Sequence, residues 1–142
     1  MVSGITSNQE VNDIYKKLRL DKTLKALILK INDQTQLEVE TEFPSEGFNY
    51  EDFISKFPDD ESRFGIVDID MSNETRKDFK IVFILWCPLS CKALKKMKYS
   101  TSANHLVEEL GTISYMLQAD GKADITEEKI KEKLRDKFKM CY

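Results

Sequence analysis

Few side chains of this sequence have types that could carry out covalent or metal chemistry. The chain holds one histidine, His105, and three cysteines, Cys87, Cys91 and Cys141. Catalysis by a thiol or hydroxyl nucleophile needs a neighbouring base, and His105 is the one histidine that could serve. Zinc needs four ligands, and only Cys87 and Cys91 lie close together in the sequence. The sequence therefore predicts no enzyme, no metal site and no cofactor.

The residues around these groups favour packing over catalysis. His105 stands beside Leu106 and Val107 in a helical pattern, so we interpret it as a helix-face residue. The odd number of cysteines, without a secretory signal, indicates free thiols in a cytoplasmic protein. No glycine-rich phosphate loop is present. Phe83 and Trp86 fall within an apolar run, which favours packing over base stacking, so we expect no nucleic-acid partner.

A basic stretch with one methionine indicates binding chemistry instead. Lys92, Lys95, Lys96 and Lys98 surround Met97, a flexible apolar side chain that suits protein interfaces. The alternative interpretation is a solvated, lysine-rich helix face, and the spacing alone leaves both open. Cationic and apolar groups displayed together suit a protein partner better than a small substrate.

Charge is unevenly distributed along the chain, although the formal net charge is only −3. Residues 76–98 hold seven Lys or Arg against one Asp, whereas residues 36–62 hold nine carboxylates against one Lys. We expect the basic region to attract an acidic protein or anionic lipid headgroups.

A buried strand followed by a helix must position the basic stretch. The apolar run from Lys80 to Trp86 predicts a buried strand that Pro88 ends. The basic helix is predicted from about Lys92 to Leu110. A buried strand fixes the entry point of that helix, so the first turns of the helix should stand at a defined place on the surface.

The apolar residues of this helix fall on two different sides. The core face of its second half consists of Ala103, Leu106, Val107 and Leu110. At roughly 100° per residue, Leu94 lies about 180° from Ala103, and Met97 lies about 120° from it. One straight helix cannot bury both groups against the same sheet. Either the helix bends near residues 99–102, or Leu94 and Met97 face outward.

The remaining periodicities predict elements in the order αββαββαβα, which indicates a mixed sheet with helices packed on its faces. The predicted elements are a first helix from about Gln9, strands at Lys25–Ile31, Gln36–Phe43, Arg63–Ile69, Phe79–Trp86 and Ile113–Ala119, a short helix after Asn49, the basic helix, and a last helix after Thr126. In the second strand, alternation predicts that Leu37, Val39, Thr41 and Phe43 share one face. We expect a single domain, residues 1–142, without a membrane span.

These residues resemble the actin-depolymerising factor/cofilin family (ADF-homology domain) over essentially the whole chain. The family's fourth strand typically ends in an aromatic-Trp-x-Pro pattern, here Leu85-Trp86-Cys87-Pro88. Its basic helix contains Lys-Met-x-Tyr-x-Ser-Ser, here Lys96-Met97-Lys98-Tyr99-Ser100-Thr101-Ser102. The start Met1-Val2-Ser3-Gly4-Ile5 is similar to the family's Ser-Gly-Val start. The resemblance implies an α/β fold of the α+β type, with a mixed five- or six-stranded sheet sandwiched by helices.

The resemblance also implies which residues contact actin. Family members insert the N-terminal half of the long helix into the cleft between two actin subdomains. The implied monomer contacts are Ser3, Gly4, Ile5, Leu94, Lys95, Lys96, Met97, Thr101 and Asn104. The implied filament contacts are Lys77, Lys80, Glu132 and Lys133. Ser3 matches the family's regulatory phosphorylation site, where a phosphate would oppose docking on acidic actin.

Several residues depart from the family pattern. Leu94 stands where a basic residue is usual, and Ala103-Asn104 replaces a Lys-Asp pair. At the filament site, Asp78 falls where a basic residue is common, and Asp136 does the same in the last helix. These departures predict monomer binding with weak filament-side binding.

The implied function is binding of actin monomers, with ADP-actin preferred, and promotion of filament turnover by depolymerisation and severing. One alternative is a coactosin-like protein that binds filament sides without severing. Another is a phosphoinositide-responsive adaptor at a membrane surface, which would use Lys77, Lys80, Lys95, Lys96 and Lys98. We expect a monomeric protein of the cytoplasm and cytoskeleton, with actin as its partner and phosphoinositides as further ligands.

Overall fold

Five strands form one mixed sheet in this computed structural model, which describes residues 9–32, 36–72 and 74–138. The strands are β1 (Leu24–Ile31), β2 (Leu37–Pro44), β3 (Arg63–Asp70), β4 (Phe79–Trp86) and β5 (Tyr115–Ala119). Their order across the sheet is β2-β1-β3-β4-β5. The β4–β5 pair is parallel and the other pairs are antiparallel. The predicted mixed sheet is confirmed with five strands.

Helices cover both faces of this sheet. They are α1 (Gln9–Arg19), α2 (Tyr50–Ser55), α3 (Ala93–Leu110) and α4 (Glu127–Phe138), and a 3-10 turn (Lys122–Ile125) precedes α4. The helix α3 is the crossover that joins the parallel strands β4 and β5. Helices α1 and α3 pack on one face of the sheet, and α2 and α4 pack on the other. The predicted element order is thus confirmed.

Strands β3 and β4 lie in the interior of the sheet and are buried on both faces, which explains their nearly continuous apolar sequences. In β4, Phe83 packs with α1 and α3, whereas Val82 and Ile84 pack with α2 and α4. Trp86 ends the strand fully buried, and its indole N–H donates a hydrogen bond of 2.7 Å to the Pro58 carbonyl. This contact fixes the point from which the chain leaves the sheet toward α3.

The prediction that four alternating residues of β2 share one face is wrong. Leu37 packs on the α1–α3 side, but Phe43 packs on the opposite side. The cause is a bulge at Glu40, since Leu29 pairs with Val39 while Ile28 already pairs with Thr41. One extra residue reverses the facing of everything after it. The segment from Thr41 onward therefore joins the other core.

The fifth strand begins two residues later than predicted, at Tyr115 instead of Ile113. Gly111 ends α3 with a φ of 72°, and Thr112 also has a positive φ, of 63°. This left-handed turn redirects the chain before pairing with β4 starts. Over the ranges that the structure describes, no helix is both long and apolar enough to span a bilayer.

Candidate protein-docking surface

From Tyr99 onward, α3 is anchored to the sheet through one buried face. That face consists of Tyr99, Ser102, Ala103, Leu106 and Leu110. The Tyr99 hydroxyl accepts a hydrogen bond of 2.9 Å from the backbone N–H of Ile31, at the end of β1. The Tyr99 ring packs on Phe64 with 4.8 Å between ring centroids, and burial raises the pKa of its hydroxyl. The helix therefore has a fixed rotation about its own axis.

The N-terminal half of α3 presents its apolar residues to solvent. The helix is continuous from Ala93 to Leu110, with Leu94 77% exposed and Met97 56% exposed. Of the two alternatives from the sequence, the outward-facing one is therefore confirmed. The hydroxyls of residues 100–102 donate to main-chain carbonyls four residues earlier, so they are satisfied within the helix.

Four of the predicted contact residues form a single stripe on α3. Leu94, Met97, Thr101 and Asn104 are all exposed and spaced at i, i+3, i+7 and i+10. At roughly 100° per residue they span about 80° of the helix circumference, on the side away from the core. At the same rotation per residue, half-buried Lys96 lies about 80° from one edge of the stripe, and exposed Lys95 lies about 100° from the other edge, on the core-facing side of the helix start. We call these six residues the α3 ridge.

The cations at this end of α3 form no ion pairs with the part of the chain that the structure describes. Within the described ranges, no carboxylate oxygen lies within 4.0 Å of the ammonium groups of Lys92, Lys95, Lys96 or Lys98. The helix has no side-chain N-cap bond and no acidic residue in its first turn. Cations near a helix N-terminus are unfavourable because the helix dipole is positive there. Such a local conflict is typical of a functional surface.

A further exposed leucine lies just before α3, in the turn that follows β4. In the described residues, five large apolar side chains are exposed, and three of them, Leu89, Leu94 and Met97, lie within nine positions. Leu89 is 81% exposed and was not among the predicted contacts. Its position directly after Pro88, in a turn between strand and helix, was the available signal.

The predicted filament residues lie elsewhere, on the α4 side of the sheet. Lys77 is exposed in the loop before β4, and Lys80 is half-buried in β4 itself. The Asp78 carboxylate lies 3.4 Å from the Lys80 ammonium and 3.6 Å from the Arg76 guanidinium. The acidic residue that departs from the family pattern is therefore paired with the basic residues around it.

The two predicted contacts in the last helix are also on that side. Glu132 and Lys133 are exposed on α4, whose buried residues Ile130 and Leu134 pack on the opposite side of the sheet from α3. The structure thus separates these residues from the α3 ridge. Ser3, Gly4 and Ile5 lie outside the described residues, as does Cys141.

The side chains that could have carried chemistry have ordinary surroundings. His105 Nε2 lies 2.9 Å from Glu109 Oε2, one helical turn away. Cys87 is buried, which raises the pKa of its thiol, and both Cys87 and Cys91 lie near the Ser62 hydroxyl. No group of three or more metal-binding side chains occurs among the residues that the structure describes.

Comparisons with known proteins agree with this fold. A family model described as "Cofilin/tropomyosin-type actin-binding protein" matches residues 4–135. Cofilin-4 of Dictyostelium discoideum is 32% identical, covering 95% of this chain and all of the relative. Actin-depolymerizing factor 6 of Arabidopsis thaliana is 31% identical, over 93% of this chain and 91% of the relative. The crystal structure of Streptomyces griseoflavus cofilin superposes with a TM-score of 0.83 at 30% identity, covering 94% of this chain and 98% of that one.

Proposed function

The chain belongs to the cofilin/tropomyosin-type family of actin-binding proteins, and from this we propose that it binds actin monomers through the α3 ridge. The proposed consequence is faster filament turnover by depolymerisation and severing, in the cytoplasm and at the cytoskeleton. Binding requires no catalytic group, so we propose no enzymatic activity. The names of relatives such as actin-depolymerizing factor 6 support the depolymerising role.

One observation carries the proposal: an exposed apolar stripe and unpaired lysines occur together on one rigid helix. Leu94 and Met97 offer apolar area that can be desolvated in a cleft, as interface hot spots require. The neighbouring lysines can steer an acidic partner without first breaking ion pairs in this chain. Since Tyr99 and Ala103 hold the helix against the sheet, docking needs little ordering of α3 itself.

Filament-side binding is proposed to be weak. Asp78 pairs with Lys80 and Arg76, so these basic residues offer less net positive potential to an acidic partner. On α4, exposed Asp136 stands among basic residues and opposes the same attraction. We therefore propose that monomer sequestration and depolymerisation exceed stable decoration of filaments.

The test is a titration of purified ADP-actin and ATP-actin monomers with the protein, run beside filament pelleting at matched salt. We expect saturable monomer binding, tighter for ADP-actin, with little protein in the filament pellet. Abundant pelleting without new filament ends would favour the coactosin-like alternative. No binding to either monomer at concentrations where related cofilins bind would contradict the proposal.

The unpaired lysines also favour a second candidate, binding of phosphoinositides in competition with actin. Lys95, Lys96 and Lys98 are clustered at one end of α3, and each cation near an anionic surface contributes about 1 kcal/mol. We expect vesicles that contain phosphatidylinositol 4,5-bisphosphate to bind the protein and release it from actin. Equal binding to vesicles of phosphatidylcholine alone would contradict this role.

A further inference from the structure

Two thiols meet at one serine beneath the start of α3. Ser62 Oγ lies 3.0 Å from Cys91 Sγ and 3.7 Å from Cys87 Sγ. Ser62 itself is 1% exposed, so this contact is inside the protein. Both sulfur atoms therefore lie next to the same buried hydroxyl group.

The backbone brings the two cysteines together in different ways. Cys87 continues the sheet, because its N–H donates a hydrogen bond of 2.9 Å to the Ala119 carbonyl of β5. Cys91 is brought back by a tight turn, in which its N–H donates to the Pro88 carbonyl at 3.0 Å. The turn exposes Leu89 and Ser90, so Cys91 is the partner that has room to move.

The two thiols also differ in their access to solvent. Cys87 is buried, and burial raises the pKa of its thiol. Cys91 is half-exposed and lines a cavity of about 300 Å³ together with Asp60, Glu61, Lys92 and Lys95. A small oxidant that enters this cavity therefore meets Cys91 before it can reach the buried Cys87.

We propose that Cys91 and Cys87 form a hydroperoxide-sensitive pair that closes to a disulfide and weakens docking through the α3 ridge. The Cys91 thiolate attacks one peroxide oxygen, the O–O bond breaks, and the departing hydroxide takes a proton to become water. The Cys87 sulfur then attacks the Cys91 sulfenic acid, forming the S–S bond. The S–O bond breaks, and the Cys87 proton leaves with the hydroxyl as a second water. The two thiols lose two electrons and the peroxide gains them.

Closure would displace the start of the docking helix. An S–S bond is about 2.05 Å long, so closure fixes the Cys91 sulfur against the Cys87 sulfur, next to the end of β4. Lys92 and Leu94 follow Cys91 within three positions, and they have no side-chain cap to hold them in place. This effect on docking rests on the proposed function, whereas formation of the disulfide does not.

The disulfide can be tested without actin. Trypsin cleavage after Lys80 and Lys92 releases a peptide, residues 81–92, that contains both thiols and excludes Cys141. After brief hydrogen peroxide treatment and alkylation, we expect this peptide to be unalkylated and two hydrogens lighter, and to be alkylated twice after reduction by dithiothreitol. Two alkylated thiols after peroxide, a sulfinic acid, or a cross-link to Cys141 would overturn the pair.

The regulatory effect is tested by titrating ADP-actin monomers with reduced and oxidised protein. We expect oxidation to weaken binding by about tenfold, which corresponds to losing one interface anchor, and dithiothreitol to restore it. Cys91→Ser is the matched control, since it keeps Cys87 and Cys141 and should bind equally before and after peroxide. Equal affinity of the disulfide form and the reduced form would overturn the regulation. Failure of the reduced protein to bind would instead count against the proposed function, and the peptide result would stand.

Discussion

The basic end of α3 and the loop before β4 look similar as sequences but differ as surfaces. Both contain basic residues, yet the α3 lysines have no carboxylate within 4.0 Å among the described residues. In the loop, the Asp78 carboxylate lies between Lys80 and Arg76. We therefore expect the lysines of α3 to attract an acidic partner more strongly than the basic residues around Asp78 do.

The N-termini of α3 and α4 differ in the same sense. Helix α4 has Glu127 and Glu128 in its first turn, and Thr126 Oγ1 accepts a hydrogen bond from the Lys129 N–H. Both features stabilise a helix start. Helix α3 has lysines there and no cap bond. The start of α4 is consistent with a structural role. The start of α3 lacks these stabilising features and instead presents an exposed cationic surface.

The largest expected effect comes from placing a carboxylate on the ridge. Met97→Glu should weaken ADP-actin monomer binding by about a hundredfold, because a buried, unpaired charge at an interface costs several kcal/mol. Thermal stability should hardly change, since the side chain is 56% exposed. Isothermal titration calorimetry and thermal melting measure the two quantities.

Leu20, the residue directly after α1, offers a matched control for this substitution. Leu20 is 60% exposed and lies outside the ridge. Leu20→Glu introduces the same charge at a similarly exposed apolar position and should leave actin affinity unchanged. Equal losses from both substitutions would mean that net charge, and not the ridge, determines affinity.

Removing one ridge cation should have a smaller effect. Lys96→Ala is expected to weaken monomer binding by about tenfold and to reduce its dependence on salt, because a steering charge is lost. Lys56→Ala removes an exposed cation next to α2, on the far side of the sheet, and should change neither quantity. The measurement is affinity at two ionic strengths. An unchanged affinity for Lys96→Ala would show that the docking site is misplaced.

Replacing Asp78, in the loop before β4, by a neutral residue should give that loop a more positive surface, closer to that of α3. Asp78→Asn removes the carboxylate that pairs with Lys80 and Arg76, and we expect filament binding to increase about threefold, since an exposed ion pair is worth up to about 1 kcal/mol. Co-sedimentation with filaments measures this increase, and monomer affinity should be unaffected. Glu74→Gln changes charge equally in the same exposed loop, so a similar increase there would attribute the effect to net charge alone.

The smallest expected effect on binding comes from the anchored half of α3. Tyr99→Phe leaves the buried N–H of Ile31 without its hydrogen-bond acceptor and should lower the free energy of unfolding by about 1–3 kcal/mol. The folded protein should bind actin as before. Tyr115→Phe, at a half-exposed position, is the control and should cost less. Urea unfolding followed by tryptophan fluorescence provides the measurement.

The apolar residues of α3 are out of phase with one another, and this mismatch limited the sequence analysis to two alternatives. Leu94 and Met97 could not share a face with Ala103 in a straight helix, so either the helix bends near residues 99–102 or both side chains face outward, and the structure shows the second. The other residues of the ridge came from the family resemblance. The strand β4 was clear from the sequence, since strands buried on both faces have continuous apolar sequences.

Other features depended on contacts between distant parts of the chain. The bulge at Glu40 reverses the facing of Phe43, yet the alternating sequence around it is compatible with a regular strand. Glu40 forms an ion pair of 3.0 Å with Arg63, 23 positions away, which local periodicity cannot reveal. The exposure of Leu89 likewise follows from the turn that its neighbours form.

The most direct test of the α3 ridge as the actin surface is the methionine-methyl NMR spectrum during addition of ADP-actin monomers. The chain has five methionines, and Met97 is exposed whereas Met71 is 4% exposed. If actin docks on the α3 ridge, the Met97 methyl signal shifts or broadens in proportion to bound actin, while the Met71 signal keeps its position. Formation of the complex with an unchanged Met97 signal would contradict it.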